Sequence, residues 1–171
     1  MDDLSACIRD VPDFPQPGIV FKDITPLLAD AEAFRSCIGR MADRLDGRGV
    51  DGIVAIESRG FILGGALAHH LSLPLLLVRK PGKLPAKTQR IAYELEYGSG
   101  VLEMHADAVV PRCRYEIVDD VLATGGTAAA AASLVETLGG QVAGYSFLIE
   151  LLALGGRARL GASPIDALLV Y

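Results

Sequence analysis

Short apolar segments alternate with helix-forming segments along most of this chain, and this alternation constrains the fold more than any other feature. The apolar segments have the length of strands and lie at 52–57, 75–79, 115–119, 141–149 and 165–171. Segments with helical character lie between several of them, at about 32–45, 61–71 and 126–138. Buried strands that alternate with helices are typical of a parallel sheet covered by helices. The sequence therefore predicts an α/β fold with a Rossmann-like, mainly parallel sheet flanked by helices.

Two segments do not fit this alternation. The stretch from Val11 to Leu28 contains four prolines, which predict an extended, irregular and non-helical conformation. Residues 91–97 and 101–103 flank Gly98-Ser99-Gly100 and predict an antiparallel hairpin. We therefore expect a single domain over residues 1–171, with a hood at 1–30 and a flexible loop and hairpin at 80–104.

Charge and cysteine content narrow the class of protein. The formal net charge is −5, whereas nucleic-acid-binding domains normally carry a basic surplus. Three cysteines without a CxxC pair favour reduced thiols over a disulfide or zinc site. The N-terminus lacks the apolar stretch of a signal peptide, and the sequence has no run of about 18 apolar residues. We expect a cytoplasmic protein that binds neither nucleic acid nor membranes.

The segment at 117–127, with the sequence IVDDVLATGGT, carries the strongest functional signal. A buried strand leads into Asp119 and Asp120, and then into a small-residue turn at 123–127 that opens a helix. Such a turn can aim several backbone N–H groups at one anion, and the helix dipole adds to the attraction. Adjacent carboxylates accept hydrogen bonds from ribose hydroxyls. The segment is not a Walker loop, because no lysine follows the glycines. An anion-binding turn next to two carboxylates instead predicts a ribose 5-phosphate site.

Five motifs, read together, resemble one enzyme family. The segment at 117–127 resembles the phosphoribosyl pyrophosphate (PRPP) motif of the type I phosphoribosyltransferases. Four others resemble the adenine-specific members: VFKDIT at 20–25 for the base, ESRGF at 57–61 for pyrophosphate, RKPGKLP at 79–85 for a mobile loop, and YELEYG at 93–98 for the catalytic hairpin. The similarity runs in order from about Val11 to about Leu160, which is far more specific than any single motif.

The resemblance implies where PRPP binds. In the pyrophosphate loop Arg59 offers a planar fork of donors to phosphate oxygens, and the family has a non-proline cis peptide, here at Glu57-Ser58. The mobile loop is expected to act as a lid that excludes water, with Arg79 reaching across a dimer interface. The residues expected at the phosphates are Glu57, Ser58, Arg59, Arg79, Lys80, Lys83, Ala123, Thr124, Gly125, Gly126 and Thr127.

The resemblance also implies the base site. The purine ring is expected between Phe21 and Val121, and backbone groups of Val20 and Lys22 are expected to read its edge. Phe21 could equally well fill the core, since the sequence alone does not separate these two roles. Backbone readout that matches adenine would leave buried groups unpaired against a 6-oxopurine, which presents the opposite hydrogen-bonding pattern.

The catalytic residues implied by the resemblance are Glu96, Arg59, Asp119 and Asp120. Glu96 is expected to manage the imidazole proton of adenine as N9 becomes the nucleophile. Alternation alone would place Glu94 and Glu96 together on a solvated face, so only the Glu-Tyr-Gly match singles out Glu96. Mg²⁺ is expected to bind through PRPP, with water bridges to the two aspartates and no direct protein ligand.

Three positions depart from the family pattern. Lys22 stands where Arg is usual and Val121 where Leu is common, and both changes are expected to loosen the base contacts. Glu116 interrupts the apolar strand before Asp119, and its side chain is expected to face solvent or a partner subunit. Glu150, after the last long strand, is expected to be structural. None of the three departures, at Lys22, Val121 and Glu116, removes a phosphate or ribose ligand.

The implied function is purine salvage by a homodimer. The enzyme would transfer the 5-phosphoribosyl group of PRPP to N9 of adenine and release AMP and pyrophosphate. A transferase for 6-oxopurines (hypoxanthine, guanine or xanthine) stays open as an alternative, as does a non-catalytic regulator that binds PRPP or a nucleotide. A dinucleotide-binding oxidoreductase is disfavoured because no GxGxxG follows a strand.

Overall fold

The first elements of the chain are two short strands and a short helix. The computed structural model describes residues 4–94 and 99–171. In it, β1 (Arg9–Pro12) and β2 (Val20–Asp23) pair antiparallel, and α1 (Thr25–Ala29) follows them. The prediction of a non-helical segment is therefore wrong for α1. Pro26 lies in the first turn of this helix, where a missing N–H removes no helical hydrogen bond.

A five-stranded parallel sheet flanked by helices follows, which confirms the predicted α/β fold. In chain order the elements are α2 (Ala31–Leu45), β3 (Gly52–Ile56), α3 (Gly60–Leu71), β4 (Leu75–Val78), β5 (Thr88–Glu94), β6 (Ser99–His105), β7 (Arg114–Leu122), α4 (Gly126–Thr137), β8 (Gln141–Glu150) and β9 (Ile165–Val170). The strand order in the sheet is β4-β3-β7-β8-β9. Among the described residues, none of the helices is long and apolar enough to cross a membrane.

Each face of the sheet has its own hydrophobic core, because successive side chains of a strand point to opposite faces. On one face, Ile53 and Val118 pack with α1, α2 and α3. On the other, Val54 and Ile117 pack with α4 and the β5–β6 hairpin. Asp30 caps α2 as its side chain accepts the N–H groups of residues 32 and 33 at 2.9 and 3.0 Å. These two layers hold the strand ends in fixed positions.

The strand order reverses between β3 and β7, and this reversal positions the site. The chain passes from β3 outward to β4, returns through the hairpin, and then continues inward on the other side of β3 with β7. The loops that leave β3 and β7 therefore diverge from neighbouring strands and open a crevice between them. Ligands of such sheets bind at this point, beyond the carboxyl ends of the strands.

The hairpin pairs β5 with β6 antiparallel, and β6 is longer than the predicted strand at 101–103. β5 begins three residues before the predicted strand at 91–97, whose residues 95–97 lie outside the described residues. Ser99 pairs with Glu94 and Gly100 with Tyr93, so the prediction that Ser99 and Gly100 belong to the turn is wrong. Gly100 belongs in the strand because the Tyr93 ring lies over it. A Cβ atom at Gly100 would lie only 2.6 Å from the Cζ atom of that ring.

Glu116 is buried inside the chain, and the prediction that its side chain faces solvent or a partner is wrong. The Oε1 atom accepts hydrogen bonds from Arg48 Nη1 at 3.0 Å and from Ser146 Oγ at 2.7 Å. Arg48 also forms an ion pair with Asp166. Burial raises the pKa of Glu116 to about 7, against the lowering effects of Ser146 and Arg48.

The shifted pKa of Glu116 predicts that folding stability depends on pH. The unfolded chain loses this proton near 4.5 and the folded chain near 7. The stabilisation from this group is therefore complete below pH 4.5 and is lost as the pH rises through about 7, by up to about 3 kcal/mol. In Glu116→Gln this component should vanish. Chemical denaturation of both proteins between pH 4.5 and 8 measures it, and identical pH slopes would contradict the prediction.

Candidate active site

Two cavities meet at the carboxyl ends of β3 and β7, where they share Asp119 and Thr127. The larger, about 380 Å³, is lined by Glu57, Ser58, Arg59, Lys80, Tyr93, Leu102, Asp119, Asp120 and Thr127. The smaller, about 60 Å³, is lined by Asp119, Val121, Leu122, Ala123, Thr124, Gly125, Gly126, Thr127, Ala128 and Phe147. A wider cavity of about 510 Å³ beside the end of α2 contains no residue of the predicted motifs. The structure thus brings most of the predicted PRPP residues into one crevice.

The floor of the smaller cavity is the turn between β7 and α4. Gly125 is the residue before the helix and has a φ of +78°, which L-residues rarely adopt. The first N–H groups of α4 have no acceptor within the helix, so they are available to an anion at this end. The turn therefore has the backbone geometry of an anion site.

A second backbone segment supports this turn from behind. A Cβ atom at Gly125 would collide with the carbonyl oxygen of Gly156, and one at Gly156 would collide with the carbonyl oxygen of Ala123. Only glycines allow the two segments to approach so closely. Sequence reasoning missed the role of Gly156, although the Gly155-Gly156 pair after β8 was a visible signal.

An ion pair fixes the position of the supporting segment. Glu150, at the end of β8, is buried and accepts hydrogen bonds from Arg157 Nε and Nη2, both at 2.6 Å. Arg157 also donates to the carbonyl oxygen of Ile165 at 3.0 Å. This bidentate ion pair holds Arg157, the residue next to Gly156, in place. It agrees with the structural role expected for Glu150.

The pyrophosphate loop lies directly beside the aspartates. The peptide bond between Glu57 and Ser58 is cis, as expected. Gly60, the first residue of α3, packs closely against β7, since a Cβ atom there would lie 2.8 Å from Asp119 Oδ1 and 2.9 Å from the Val118 carbonyl oxygen. The positive end of α3 therefore points into the same crevice as that of α4.

The two adjacent carboxylates have different surroundings. Asp120 is buried and forms an ion pair with Arg59, whose side chain is 43% exposed. The Asp120 N–H donates to Asp119 Oδ1 at 2.9 Å. Burial, followed by the neighbouring Asp120 carboxylate, raises the pKa of Asp119 well above its usual range. Asp120 is therefore paired with a cation, whereas ionised Asp119 would be stabilised by a ligand that donates hydrogen bonds to it.

The loop after β4 contacts the pyrophosphate loop through Glu57. Arg79 Nε and the Lys80 N–H both donate to Glu57 Oε2, at 2.9 and 3.2 Å. Lys80 lines the larger cavity, whereas Lys83 is not among its lining residues. Arg79 is held here by its own chain, and its reach toward a second subunit stays a prediction.

The predicted base residues lie at the edge of the crevice. Phe21 belongs to neither hydrophobic core; its ring packs edge-on against Phe14, and the Arg59 guanidinium carbon lies 5.5 Å from its centroid. Val20 is exposed, and Val121 lines the smaller cavity. The Lys22 ammonium is bound to Asp10 at 2.6 Å and lies 3.9 Å from the Tyr171 ring centroid.

Phe21 therefore fills neither hydrophobic core, and its contact with a base stays a prediction. The ammonium of Lys22 is engaged by Asp10 and Tyr171, so a contact between Lys22 and a base would come from its backbone. Glu96, the expected acid/base residue, lies outside the described residues.

Comparisons with known proteins find a matching family, similar sequences and similar structures. Residues 25–157 match the phosphoribosyl transferase domain family. The adenine phosphoribosyltransferase of Sorangium cellulosum is 56% identical over 168 residues, which cover 98% of this chain and 84% of that protein. The crystal structure of the enzyme of the same name from Thermoanaerobacter pseudethanolicus superposes with a TM-score of 0.96, at 52% identity and 98% coverage of both chains.

A third relative was solved with ligands. The adenine phosphoribosyltransferase of Saccharomyces cerevisiae, crystallised with adenine and an imino-altritol bisphosphate, has a TM-score of 0.91 and 38% identity, covering 97% of this chain and 96% of that one.

Proposed function

The chain belongs to the adenine phosphoribosyltransferase family, and on that premise we propose that it transfers the 5-phosphoribosyl group of PRPP to N9 of adenine, giving AMP and pyrophosphate. One observation carries the proposal: two anion-binding turns meet on either side of a pair of aspartates. PRPP has the matching order of groups, with a 5-phosphate at one end, a pyrophosphate at the other and a ribose diol between them.

Each part of PRPP has a counterpart in the crevice. The turn from Ala123 to Thr127 would hold the 5-phosphate through backbone N–H groups and threonine hydroxyls. Asp119 and Asp120 would accept hydrogen bonds from the ribose hydroxyls. Arg59 and Lys80 line the other side of the larger cavity and would bind the pyrophosphate. Binding of the ribose would change the partners of Asp120, which is paired with Arg59 in this structure.

Catalysis would rest on stabilising the leaving group. The bond between ribose C1 and the pyrophosphate oxygen breaks, and N9 of adenine forms a new bond to C1. The negative charge that develops on pyrophosphate would be stabilised by Arg59, Lys80 and the positive end of α3. We propose that Glu96 accepts the imidazole proton of adenine as N9 attacks.

For the base, we propose that adenine stacks on Phe21, opposite Val121. The half-buried ring of Phe21 and the neighbouring Arg59 guanidinium support this position, as does the yeast relative crystallised with adenine. Backbone groups of Val20 and Lys22 would read the Watson–Crick edge of the base. Because the Lys22 ammonium is bound to Asp10, Lys in place of the family's usual Arg would have little effect on this backbone readout.

The carboxylates present fit a magnesium ion carried by the substrate rather than one held by the protein. Within residues 4–94 and 99–171, no group of three or more His, Cys, Asp or Glu side chains could hold a metal ion. Mg²⁺ binds proteins through one or two carboxylates together with substrate phosphates and water. We propose that Asp119 and Asp120 would contact such an ion through water, and that it would neutralise charge on the pyrophosphate.

We further propose that the enzyme works as a homodimer in the cytoplasm. Strand β4 is an edge of the sheet, and Ile62 and Leu75 expose 44% and 40% of their surface beside it. Gly65 of α3 lies next to Leu75, whose Cδ2 atom is 3.9 Å from where a Cβ at Gly65 would stand. Exposed apolar side chains on α3 and on this edge strand support a protein interface. The free cysteines Cys7, Cys37 and Cys113 would stay reduced in the cytoplasm.

A panel of bases tests the proposed activity. With PRPP and Mg²⁺, the chain should release pyrophosphate and form a nucleotide with adenine, while hypoxanthine, guanine and xanthine should react at least about 10⁴-fold less efficiently. Nucleotide formation is measured by chromatography, with pyrophosphate release as the coupled readout. Faster reaction with a 6-oxopurine would favour the related transferase. Binding of PRPP without turnover of any base would favour the non-catalytic regulator.

A further inference from the structure

A buried glutamate outside the crevice organises the loop that carries Lys80. Glu103 lies on β6, and its residue surface is 0% exposed. Its backbone pairs with Arg79 through two hydrogen bonds, of 2.8 and 2.9 Å, which close the loop that begins there. A fully buried carboxylate is rare unless it is matched by donors, so its partners indicate what it does.

One carboxylate oxygen of Glu103 binds the tip of the loop. Oε1 accepts three successive backbone N–H groups, from Gly82 at 2.9 Å, Lys83 at 3.3 Å and Leu84 at 3.4 Å. Consecutive N–H groups that converge on one anion form a concave nest, here filled by a side chain of the same chain. The loop backbone is therefore wrapped around a fixed negative charge.

The other oxygen binds the segment where the loop returns to the hairpin. Oε2 accepts from Thr88 Oγ1 at 3.2 Å and from Arg90 Nε at 2.9 Å. Burial raises the pKa of Glu103, but the hydrogen bonds from Leu84, Gly82, Thr88 and Arg90 lower it more, so the net shift is downward. The carboxylate thus stays ionised and holds both the tip of the loop and its return segment.

Two acidic residues therefore hold the loop at different points along its length. Glu57 of the pyrophosphate loop binds Arg79 and the Lys80 N–H, and Glu103 binds residues 82–84. Arg79 Nη1 also donates to the Lys83 carbonyl oxygen at 3.2 Å, which links the two halves. Lys80 lies between these anchors and lines the larger cavity.

We propose that Glu103 is a positioning residue for pyrophosphate binding, which fixes the loop so that Lys80 lies in the crevice. The proposal rests on the proposed function, since it takes the larger cavity to be the pyrophosphate site. Glu103 does not line that cavity and acts only through the loop.

Glu103→Gln tests this role because an amide cannot satisfy both sets of donors. If the amide oxygen accepts the three N–H groups, the NH₂ group faces Thr88 and Arg90, and the reverse orientation loses the loop. We expect the KM for PRPP to rise roughly tenfold, with the KM for adenine changed by less than about twofold. Equal changes in both constants would indicate general damage and would overturn the proposal.

Trypsin cleavage gives a readout that does not depend on activity. The Lys83–Leu84 bond is cleavable, and both of its residues donate N–H groups to Glu103, whereas Lys80 precedes proline. Cleavage there should be several times faster in Glu103→Gln than in the wild type. An unchanged cleavage rate would overturn the proposal, while a wild type that forms no nucleotide would overturn the proposed function instead.

Two further variants separate the anchors. Thr88→Val removes one donor from Oε2 and leaves the three N–H bonds, so it should keep wild-type cleavage and PRPP binding. Gly82→Ala leaves the buried carboxylate intact but places a side chain at a φ of +77°, where it should loosen the nest. Gly82→Ala should raise the KM for PRPP, as Glu103→Gln does. This test remains usable even if the Glu103→Gln protein folds poorly. A wild-type KM in Gly82→Ala would contradict the proposal.

Discussion

Replacing Asp119 and Asp120 together by asparagine is expected to lower kcat/KM for AMP formation by at least about a thousandfold. Asparagine keeps the size of each side chain but removes the charge and turns half of each acceptor group into a donor. The ribose hydroxyls would lose the charged acceptors and half of the acceptor oxygens, and Arg59 would lose the carboxylate with which it is paired. Steady-state kinetics with adenine and PRPP measures the effect.

The matched control replaces two aspartates that lie outside the crevice. Asp43 and Asp46 are exposed near the end of α2, and asparagine at both positions changes the net charge by the same amount. This control should keep kcat/KM within about twofold, as surface substitutions usually do. If the Asp119–Asp120 variant kept more than a tenth of wild-type activity, the assignment of the ribose site would be wrong.

The second large effect is expected from Gly125→Ala. The new Cβ atom would collide with the Gly156 carbonyl oxygen, and the φ of +78° is strained for alanine. The turn must therefore move away from the segment that supports it, and the N–H groups would no longer converge on the 5-phosphate. AMP affinity, measured by calorimetry, should fall about a hundredfold, which corresponds to the loss of several charge-assisted hydrogen bonds.

Gly161→Ala is the control that separates strain from collision. Gly161 also has a positive φ, of +69°, but nothing lies within 4 Å of its Cβ position. Alanine there should cost about 1 kcal/mol of stability and leave AMP affinity unchanged. Equal losses of affinity in both variants would show that the close approach to Gly156 does not matter.

Local patterns were enough to predict most of the elements. The apolar runs identified the strands of the central sheet, and the segments with helical character identified α2, α3 and α4. The position of the site in the fold could also be predicted, because residues that follow parallel strands gather at one edge of the sheet. The helix at Thr25–Ala29 was missed because four nearby prolines dominated the pattern, although proline is compatible with a first helical turn.

Contacts between distant segments could not be predicted in this way. Glu116 was assigned to the surface because its partners, Arg48 and Ser146, are 68 and 30 positions away in the chain. The same holds for the support that Gly156 gives to the phosphate turn, and for Glu103, whose role depends on loop N–H groups about 20 positions before it. A charged residue within a buried strand indicates that a partner exists, but not which residue it is.

The central claim is that the turn after β7 binds a sugar phosphate while Asp119 and Asp120 bind the sugar. A crystal structure of the complex with AMP tests this most directly. Phosphate oxygens are expected within hydrogen-bonding distance of the N–H groups of residues 124–127, with the ribose hydroxyls on the two aspartates and the purine against Phe21. An AMP molecule bound outside this crevice, or one whose phosphate lies on Arg59 with the turn filled by its own side chains, would contradict it.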